Sequence, residues 1–363
     1  MRWHRITLAL AACALMGTSA FAVFRAADMV VVPTAASGTG ANSTVLRTDL
    51  EIMNVDTVAV DVQVVLLPCC GIDNSTWFDT IANVLGGRTE EGFGHVDARL
   101  AGIQPGAAVY LDDVVTTTWG ASQTGALVVF AYEAGTLMTT TPPGGTPKLV
   151  IVNSRSYSLG SDTSGNPTTY GQQVPGLPWH DYIDPNKSGK GWDHAFITGF
   201  RQDANYSTSI GLVNISDRLT TLSVTLTLFA ADGTNLSSGT LTLLPLEQEQ
   251  FDQAYYSLFA NTTDQTIQGG IVRAEVADYT TNSANPIPAL LFYGSRVDNW
   301  TNDRSYLEQA WGQAFPWDCI FNGNCTAATG LALTIPTVHA KRQPLAPITP
   351  ARRPVTRRLL SQG

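Results

Sequence analysis

The sequence predicts an all-β fold of two β-sandwich modules in tandem, and three observations carry that reading. The first is an internal repeat. Thr48-Asp49-Leu50-Glu51-Ile52-Met53-Asn54 returns as Thr208-Ser209-Ile210-Gly211-Leu212-Val213-Asn214, so Thr48, Leu50, Ile52 and Asn54 match Thr208, Ile210, Leu212 and Asn214 at one offset. The second is alternation. Val58, Val60, Val62, Val64 and Leu66 share one parity while Asp61 and Gln63 take the other, and Leu222, Val224, Leu226 and Leu228 alternate with Ser223, Thr225 and Thr227. Successive strand side chains point to opposite faces, so a period of two places one face on a core and the other in water, as in an antiparallel sheet. The third is composition. Only 14% of residues are charged, and Gly, Thr, Ser and Val abound, which favours strands and turns over helices.

Taken in order, the chain opens on an export signal, 1–22. Arg2 and Arg5 precede the apolar run 6–16, and Ala20-Phe21-Ala22 offers small residues for cleavage after Ala22. Leu10-Ala11-Ala12-Cys13 is a competing lipobox that would make Cys13 a lipid anchor. No later stretch is long and apolar enough to span a bilayer; 120–138 comes nearest, and Gln123 and Glu133 interrupt it. The first module is expected over 29–175. Its opening strands flank the turn Asn54-Val55-Asp56-Thr57, and it carries an insertion at 69–99. A connector, 176–194, leads to the second module, 195–305, whose corresponding turn is Asn214-Ile215-Ser216-Asp217. The copies match further: Pro105 and Asp112 with Pro245 and Asp252, 125–128 with 269–272, and 149–155 with 290–296, the last pair aligning Arg155 with Arg296. Several short strands punctuated by turns in each copy read as a sandwich. A Trp- and Cys-containing extension, 306–340, precedes a Pro- and Arg-rich tail, 341–363, with too little apolar content to fold.

Charge excludes one class of partner. The formal net charge is −9. Arg2 and Arg5 in the leader and Lys341, Arg342, Arg352, Arg353, Arg357 and Arg358 in the tail account for eight of the 21 basic residues. The body between them therefore sets 13 basic against 30 acidic residues, or −17. Phosphate neutralisation needs a basic face, so nucleic acid is not an expected partner. The tail is expected to make an electrostatic contact with an anionic surface that weakens as salt rises.

Four cysteines follow the leader: Cys69, Cys70, Cys319 and Cys325. An even number in an exported chain suggests two disulfides. A local Cys319–Cys325 loop is one solution, leaving Cys69 and Cys70 as a vicinal bridge or free. Two long-range bonds between the pairs are the other.

One similarity bears on this organisation. Thr169-Tyr170-Gly171-Gln172-Gln173-Val174-Pro175 and Gly199-Phe200-Arg201-Gln202-Asp203-Ala204-Asn205-Tyr206, running into Gly211-Leu212-Val213-Asn214, resemble segments of uncharacterised exported bacterial proteins built from tandem immunoglobulin-like β-sandwich modules. The resemblance covers roughly 30–305. It implies an immunoglobulin-like fold and an exported location, and it supplies no catalytic residues.

Function is expected in loops unique to one copy. The connector is the richest polar-aromatic stretch, with Trp179, His180, Tyr182, Asp184, Trp192, Asp193 and His194 as candidate binding residues. Aromatic faces beside carboxylates suit a glycan or a protein partner, whereas the plain alternative is that these rings seal the junction between modules. Trp77 and Phe78, with Phe93 and His95, mark a second candidate surface in the insertion. No Gly-x-Ser-x-Gly or His-Glu-x-x-His occurs, so the expectation is a non-catalytic binding or surface protein without cofactor or metal. A structural envelope component and a hydrolase using connector carboxylates and histidines are the alternatives. Asp112 and Asp252 each precede a possible helical turn and are expected to cap it. Asp184-Pro185-Asn186-Lys187-Ser188-Gly189 opens like a calcium loop, but Ala195 stands where the bidentate carboxylate belongs, so a plain turn is expected. Asn42, Asn74 and Asn261 sit in glycosylation triplets that chance readily produces.

Overall fold

The computed structural model describes residues 25–39, 45–75, 98–136, 146–161, 167–187, 192–216, 219–261, 266–284, 286–301 and 303–311. The leader with Cys13, the insertion residues Trp77, Phe78, Phe93 and His95, the cysteines Cys319 and Cys325, and the basic tail lie outside them.

The described chain is all-β, as the sequence predicts. Its first half holds β1 (Met29–Ala36), β2 (Gly38–Thr39), β3 (Val45–Asn54), β4 (Val60–Pro68), β5 (Ala98–Ile103), β6 (Ala108–Leu111), the helix α1 (Val114–Trp119), β7 (Thr124–Glu133), β8 (Val150–Ser161), β9 (Pro167–Pro175) and β10 (Leu177–Pro178). The second half holds β11 (His194–Gln202), β12 (Tyr206–Asn214), β13 (Thr220–Phe229), β14 (Asn235–Leu243), β15 (Gln248–Phe251), the helix α2 (Ala254–Ser257), β16 (Ile267–Thr281), β17 (Leu290–Asp298), β18 (Arg304–Glu308) and β19 (Ala310–Trp311). The sheet orders repeat. β10-β1-β7-β4-β5 in the first half is matched by β19-β11-β16-β13-β14 in the second. Likewise β2-β3-β8-β9, with β6 also on β3, is matched by β15-β12-β17-β18. Every pairing within these sheets is antiparallel.

The repeat has a buried polar hub in each copy. Asn54 and Asn214 both end their strand, and both are fully buried. The Asn54 amide donates to the carbonyls of Val58 and Ile103, each at 2.8 Å, and its oxygen accepts from Asp56 N–H. The Asn214 amide donates to Thr220 and Leu244 carbonyls at 2.9 and 2.8 Å, and its oxygen accepts from Ser216 N–H. Each asparagine thus pairs the backbone of three chain segments at the point where the strand turns. Buried backbone groups must be paired, so this residue type recurs where the turn recurs.

The sheets stack as four layers. Leu50, Ile52, Val150 and Val152 of the β3–β8 sheet face Val30, Val62, Val64, Leu66, Leu127 and Val129 of the β1–β7–β4 sheet. Ile210, Leu212, Leu290 and Phe292 face Leu222, Val224, Leu226, Leu228 and Val272 in the second half. A third cluster joins the halves. Val31, Val65, Leu67, Val128 and Phe130 on the far side of the β1–β7–β4 sheet pack on Val213, Leu291 and Tyr293 on the far side of the β12–β17 sheet. The two inner sheets are therefore buried on both faces, and only the two outer sheets keep a wet one. The alternation assigned Gln63 to water; it is instead 1% exposed, because its side of β4 faces the junction.

The halves stack by unlike faces. Val65 stands opposite Val128, and Thr227 stands opposite Arg273 at the same place in the second half. The Val65–Val128 pair is sealed in the junction, whereas the Thr227–Arg273 pair is turned outward. Gly211 serves the same junction: a Cβ there would collide with the Tyr293 ring that lies over it. Tyr293 accepts from Gln248 Nε2 at 3.0 Å and donates to Gln250 Oε1 at 3.1 Å, while Ser295 Oγ donates across the junction to Gln172 Oε1 at 2.9 Å.

Hydrogen-bond register revises two sequence matches. Asn54 lies opposite Val150 and Asn214 opposite Leu290, so Arg155 corresponds to Ser295, and Arg296 to Ser156. Leu66 lies opposite Leu127 and Leu228 opposite Val272, which moves the 125–128 match by one residue. The β11–β16 pairing is irregular between Thr198 and Arg201, and a one-residue slip carries every side chain to the other face. The capping expectation is also corrected. The helical turns form, but the residues ahead of them are Asp113 and Gln253, each left-handed at φ 45° and 49° and without a side-chain cap bond. The Asp252 carboxylate instead accepts from Ser209 Oγ and Gln250 Nε2.

Candidate functional site

Trp179, Tyr182, Asp184 and Trp192 of the connector gather around Lys187 or one another, and Trp179 and Tyr182 lie in the junction. The Trp179 and Tyr182 rings stack at 6.2 Å, and Trp179 Nε1 donates to Asp28 Oδ1 at 3.1 Å. Tyr182 is 7% exposed and belongs to the cluster between the halves, with Trp179 packed against it. The Lys187 ammonium lies 4.6 Å over the Tyr182 ring and 5.4 Å from the Trp192 ring, and pairs with Asp184 at 3.3 Å. Asp184 also accepts from Asn186 N–H at 2.9 Å, so its segment closes as a single 3-10 turn over Pro185–Lys187. Ile183 bridges to Leu290, which ties this segment to the second half. Asp193 and His194 form a separate pair at 2.8 Å, with His194 edge-on to Phe196. His180 stands apart, half exposed, 3.9 Å from Asp181. Burial raises the Asp181 carboxyl above its usual range, against the pull of Arg25, with which it is paired.

The segment after β4 also docks on the second half. Cys69 bridges to Gln248, Cys70 N–H donates to the Gln248 carbonyl at 3.2 Å, and Gly71 N–H donates to Glu247 Oε1 at 2.6 Å. The sulfurs of Cys69 and Cys70 lie against each other, the arrangement of a vicinal bridge. Asn74 is fully buried and donates to the carbonyls of Pro68 and Leu246, which removes it as a glycosylation acceptor.

A buried carboxylate with three hydrogen-bond donors lies elsewhere, on the wet face of the β3–β8 sheet. Asp49, only 4% exposed, accepts from Tyr110 OH at 2.5 Å, from Tyr157 OH at 3.2 Å and from Asp113 N–H at 3.0 Å. β3, β6 and β8 place these groups side by side. Glu51 opposes both Tyr110 and Asn153, and Arg47 opposes Tyr157. The hydrogen bond to Asp49 pushes the Tyr110 hydroxyl up to about 12, with burial and the Asp49 charge adding to it. Burial first, then the Asp49 charge, raises Tyr157. The Asp112 carboxyl is raised by its hydrogen bond to Asp49 and by that neighbour's charge. Arg47 pairs with Asp113 at 3.4 Å, and the Arg155 guanidinium lies 4.8 Å over the Tyr157 ring while donating to Thr169 at 2.6 Å.

Sequence reasoning did not find this cluster, and a signal for it existed. At equivalent positions the second half carries Ser209, Gln250 and Val297 in place of Asp49, Tyr110 and Tyr157. A difference between copies on a shared scaffold marks what one copy does alone.

The Asp112 shift has a testable sign. A carboxyl raised on folding favours the protonated form, so its stabilisation is present in acid and lost as pH rises through its folded value. Asp112→Asn mimics the protonated group. It is expected to raise Tm at neutral pH, with the gain shrinking toward zero in acid. Thermal melts across that range check it; a gain that grows in acid would be the wrong sign.

No protein-family model matches the chain, and no curated protein does. Among solved structures it is similar to Bacteroides uniformis beta-glucuronidase 2, as a calcium-binding mutant and as a complex bound covalently to cyclophellitol-6-carboxylate aziridine. Identity is 12% in both, with TM-scores of 0.15 and 0.13. These alignments cover 76% and 74% of this chain but only 27% and 25% of those proteins. The chain thus spans about a quarter of their length, and scores so low carry no argument about this protein.

Proposed function

We propose that the chain is an exported, non-catalytic binding protein that engages a glycan or protein partner through the wet face of the β3–β8 sheet. The observation that carries this reading is Tyr110. The residue is 61% exposed, yet its hydroxyl is held on the buried Asp49 carboxylate. An exposed aromatic ring that is already immobilised loses little entropy on binding, and Tyr and Arg are the residue types on which interfaces depend most. Asp112 and Glu51 offer exposed acceptors beside it, and Arg155 a cation. The leader supports export, and the similarity over 169–175 and 199–206 supports an immunoglobulin-like assignment for the paired sheets.

The test is Tyr110→Ala, screened with wild type on a glycan array and against purified envelope proteins. We expect an unchanged far-UV spectrum, a Tm close to wild type and at least a tenfold loss of affinity for whatever wild type binds. Equal binding by both proteins would remove this face as the site.

A further inference from the structure

We propose that Cys69 and Cys70 are a thiol-exchange site, opened by a dithiol reductant, whose state sets how firmly the first half is held on the second. It is independent of the Tyr110 face. The two sulfurs lie against each other as a bonded pair, and Cys70 is exposed to an attacking thiolate. The pair opens a short strap, 69–74, laid along 245–249 of the second half. Cys69 bridges to Gln248, and the Cys70 N–H donates to the Gln248 carbonyl at 3.2 Å. The Gly71 N–H is shared between Glu247 Oε1 at 2.6 Å and Glu249 Oε2 at 3.2 Å. Asn74 closes the strap, with its N–H on the Pro245 carbonyl and its side-chain amide on the Leu246 carbonyl, both at 3.0 Å. Gln248 carries the contact inward, since its Nε2 donates to the Tyr293 hydroxyl in the junction at 3.0 Å.

The bond acts through the backbone. Cys70 is left-handed at φ 88°, a region that residues with a Cβ rarely adopt, and Gly71 follows it at φ 72°. In that conformation both N–H groups reach the second half. A ring closed through the two side chains limits Cys70 to few conformations. Two open thiols do not, so the reduced chain relaxes toward negative φ and draws the Cys70 and Gly71 N–H groups off their acceptors. Glu247, 3% exposed, and Glu249 then lose the donor they share. Burial, then the bond to Glu247, already raises the Glu249 carboxyl above its usual range, so the freed pair has no reason to stay closed. The exchange balances. The reductant's thiolate attacks Cys70 Sγ, the bond between the cysteines breaks, and Cys69 leaves as a thiolate that takes up the proton the reductant gave. The reductant's second thiolate then displaces Cys70, which is protonated in turn, and closes the reductant's own disulfide. Two electrons pass to the cysteines.

Peptide mapping without reduction, then hydrogen exchange of the full chain with and without dithiothreitol, tests this. We expect mapping to join Cys69 to Cys70. Reduction should speed exchange at the Cys70, Gly71 and Asn74 amides at least tenfold and leave the β13 and β16 amides unchanged, because only the strap opens. Cys69→Ser with Cys70→Ser should exchange at the fast rate from the start and ignore the dithiol. Cys69→Ser with Cys70→Gly should exchange more slowly than that, since glycine accepts the left-handed backbone without a bridge. Cys319→Ser with Cys325→Ser should keep the full response. The proposal is overturned if mapping joins Cys69 or Cys70 to Cys319 or Cys325, or if reduction leaves the strap amides unchanged. It is equally overturned if β13 and β16 exchange rises as much as the strap's, if the Ser-Gly variant is no slower than the Ser-Ser one, or if the response is lost with Cys319 and Cys325.

Discussion

Asn214→Ala is expected to destabilise the protein by roughly 3 kcal/mol or more, because each buried group left without a partner costs about 1–3 kcal/mol. The substitution strands the Thr220 and Leu244 carbonyls and the Ser216 N–H at a fully buried position. Alanine also leaves a space that the surrounding strands fill only in part. Asn54→Ala should act alike in the first half, through Val58, Ile103 and Asp56. Asn214→Asp should be at least as harmful, since a carboxylate keeps the acceptor but loses both donors and buries a charge. Urea unfolding followed by tryptophan fluorescence measures all three. A loss below about 1 kcal/mol for Asn214→Ala would mean that the stranded carbonyls find other partners, and the hub would then be incidental.

Val65→Asp and Thr227→Asp should differ sharply, although the two positions are equivalent in the repeat. Val65 is 4% exposed and faces the β12–β17 sheet across the junction. A carboxylate there is buried without a partner, at an expected cost of about 3–5 kcal/mol. The two sandwich cores do not contain Val65, so we expect the halves to part while each keeps its own core. Hydrogen exchange should rise first on the facing strands β12 and β17, and the radius of gyration should grow. Thr227 points outward opposite Arg273, which already pairs with Glu275 at 2.6 Å, so a carboxylate there stays solvated beside a shared cation, and the change should stay within about 0.5 kcal/mol. Equal costs at the two sites would show that the junction contributes no more to stability than the open face.

The sequence alone determined the layers that local physics can encode. Period-two alternation requires a strand with a buried face, and an asparagine followed by Asp or Ser two residues on requires a turn, so the two copies were legible from residues 48–67 and 208–228. The short helical turns after Asp112 and Asp252 were legible as well. What the sequence did not carry was the other buried face of the inner sheets. Val65, Leu67, Val128 and Phe130 are apolar on the side that alternation assigns to water, and only a partner sheet distant in the chain explains them. Register escaped for a related reason. Matching Arg155 to Arg296 compares identities, whereas hydrogen bonds place Arg155 with Ser295, and an irregularity in one strand is invisible to a count of residues. The connector rings suggested a binding surface because their composition does not reveal what covers them; Trp179 and Tyr182 are covered by the other half. The Asp49 cluster is the clearest case. Tyr110 and Tyr157 lie 61 and 108 residues from the carboxylate they share, and only the antiparallel pairing of β3 with β6 and β8 brings the three into contact.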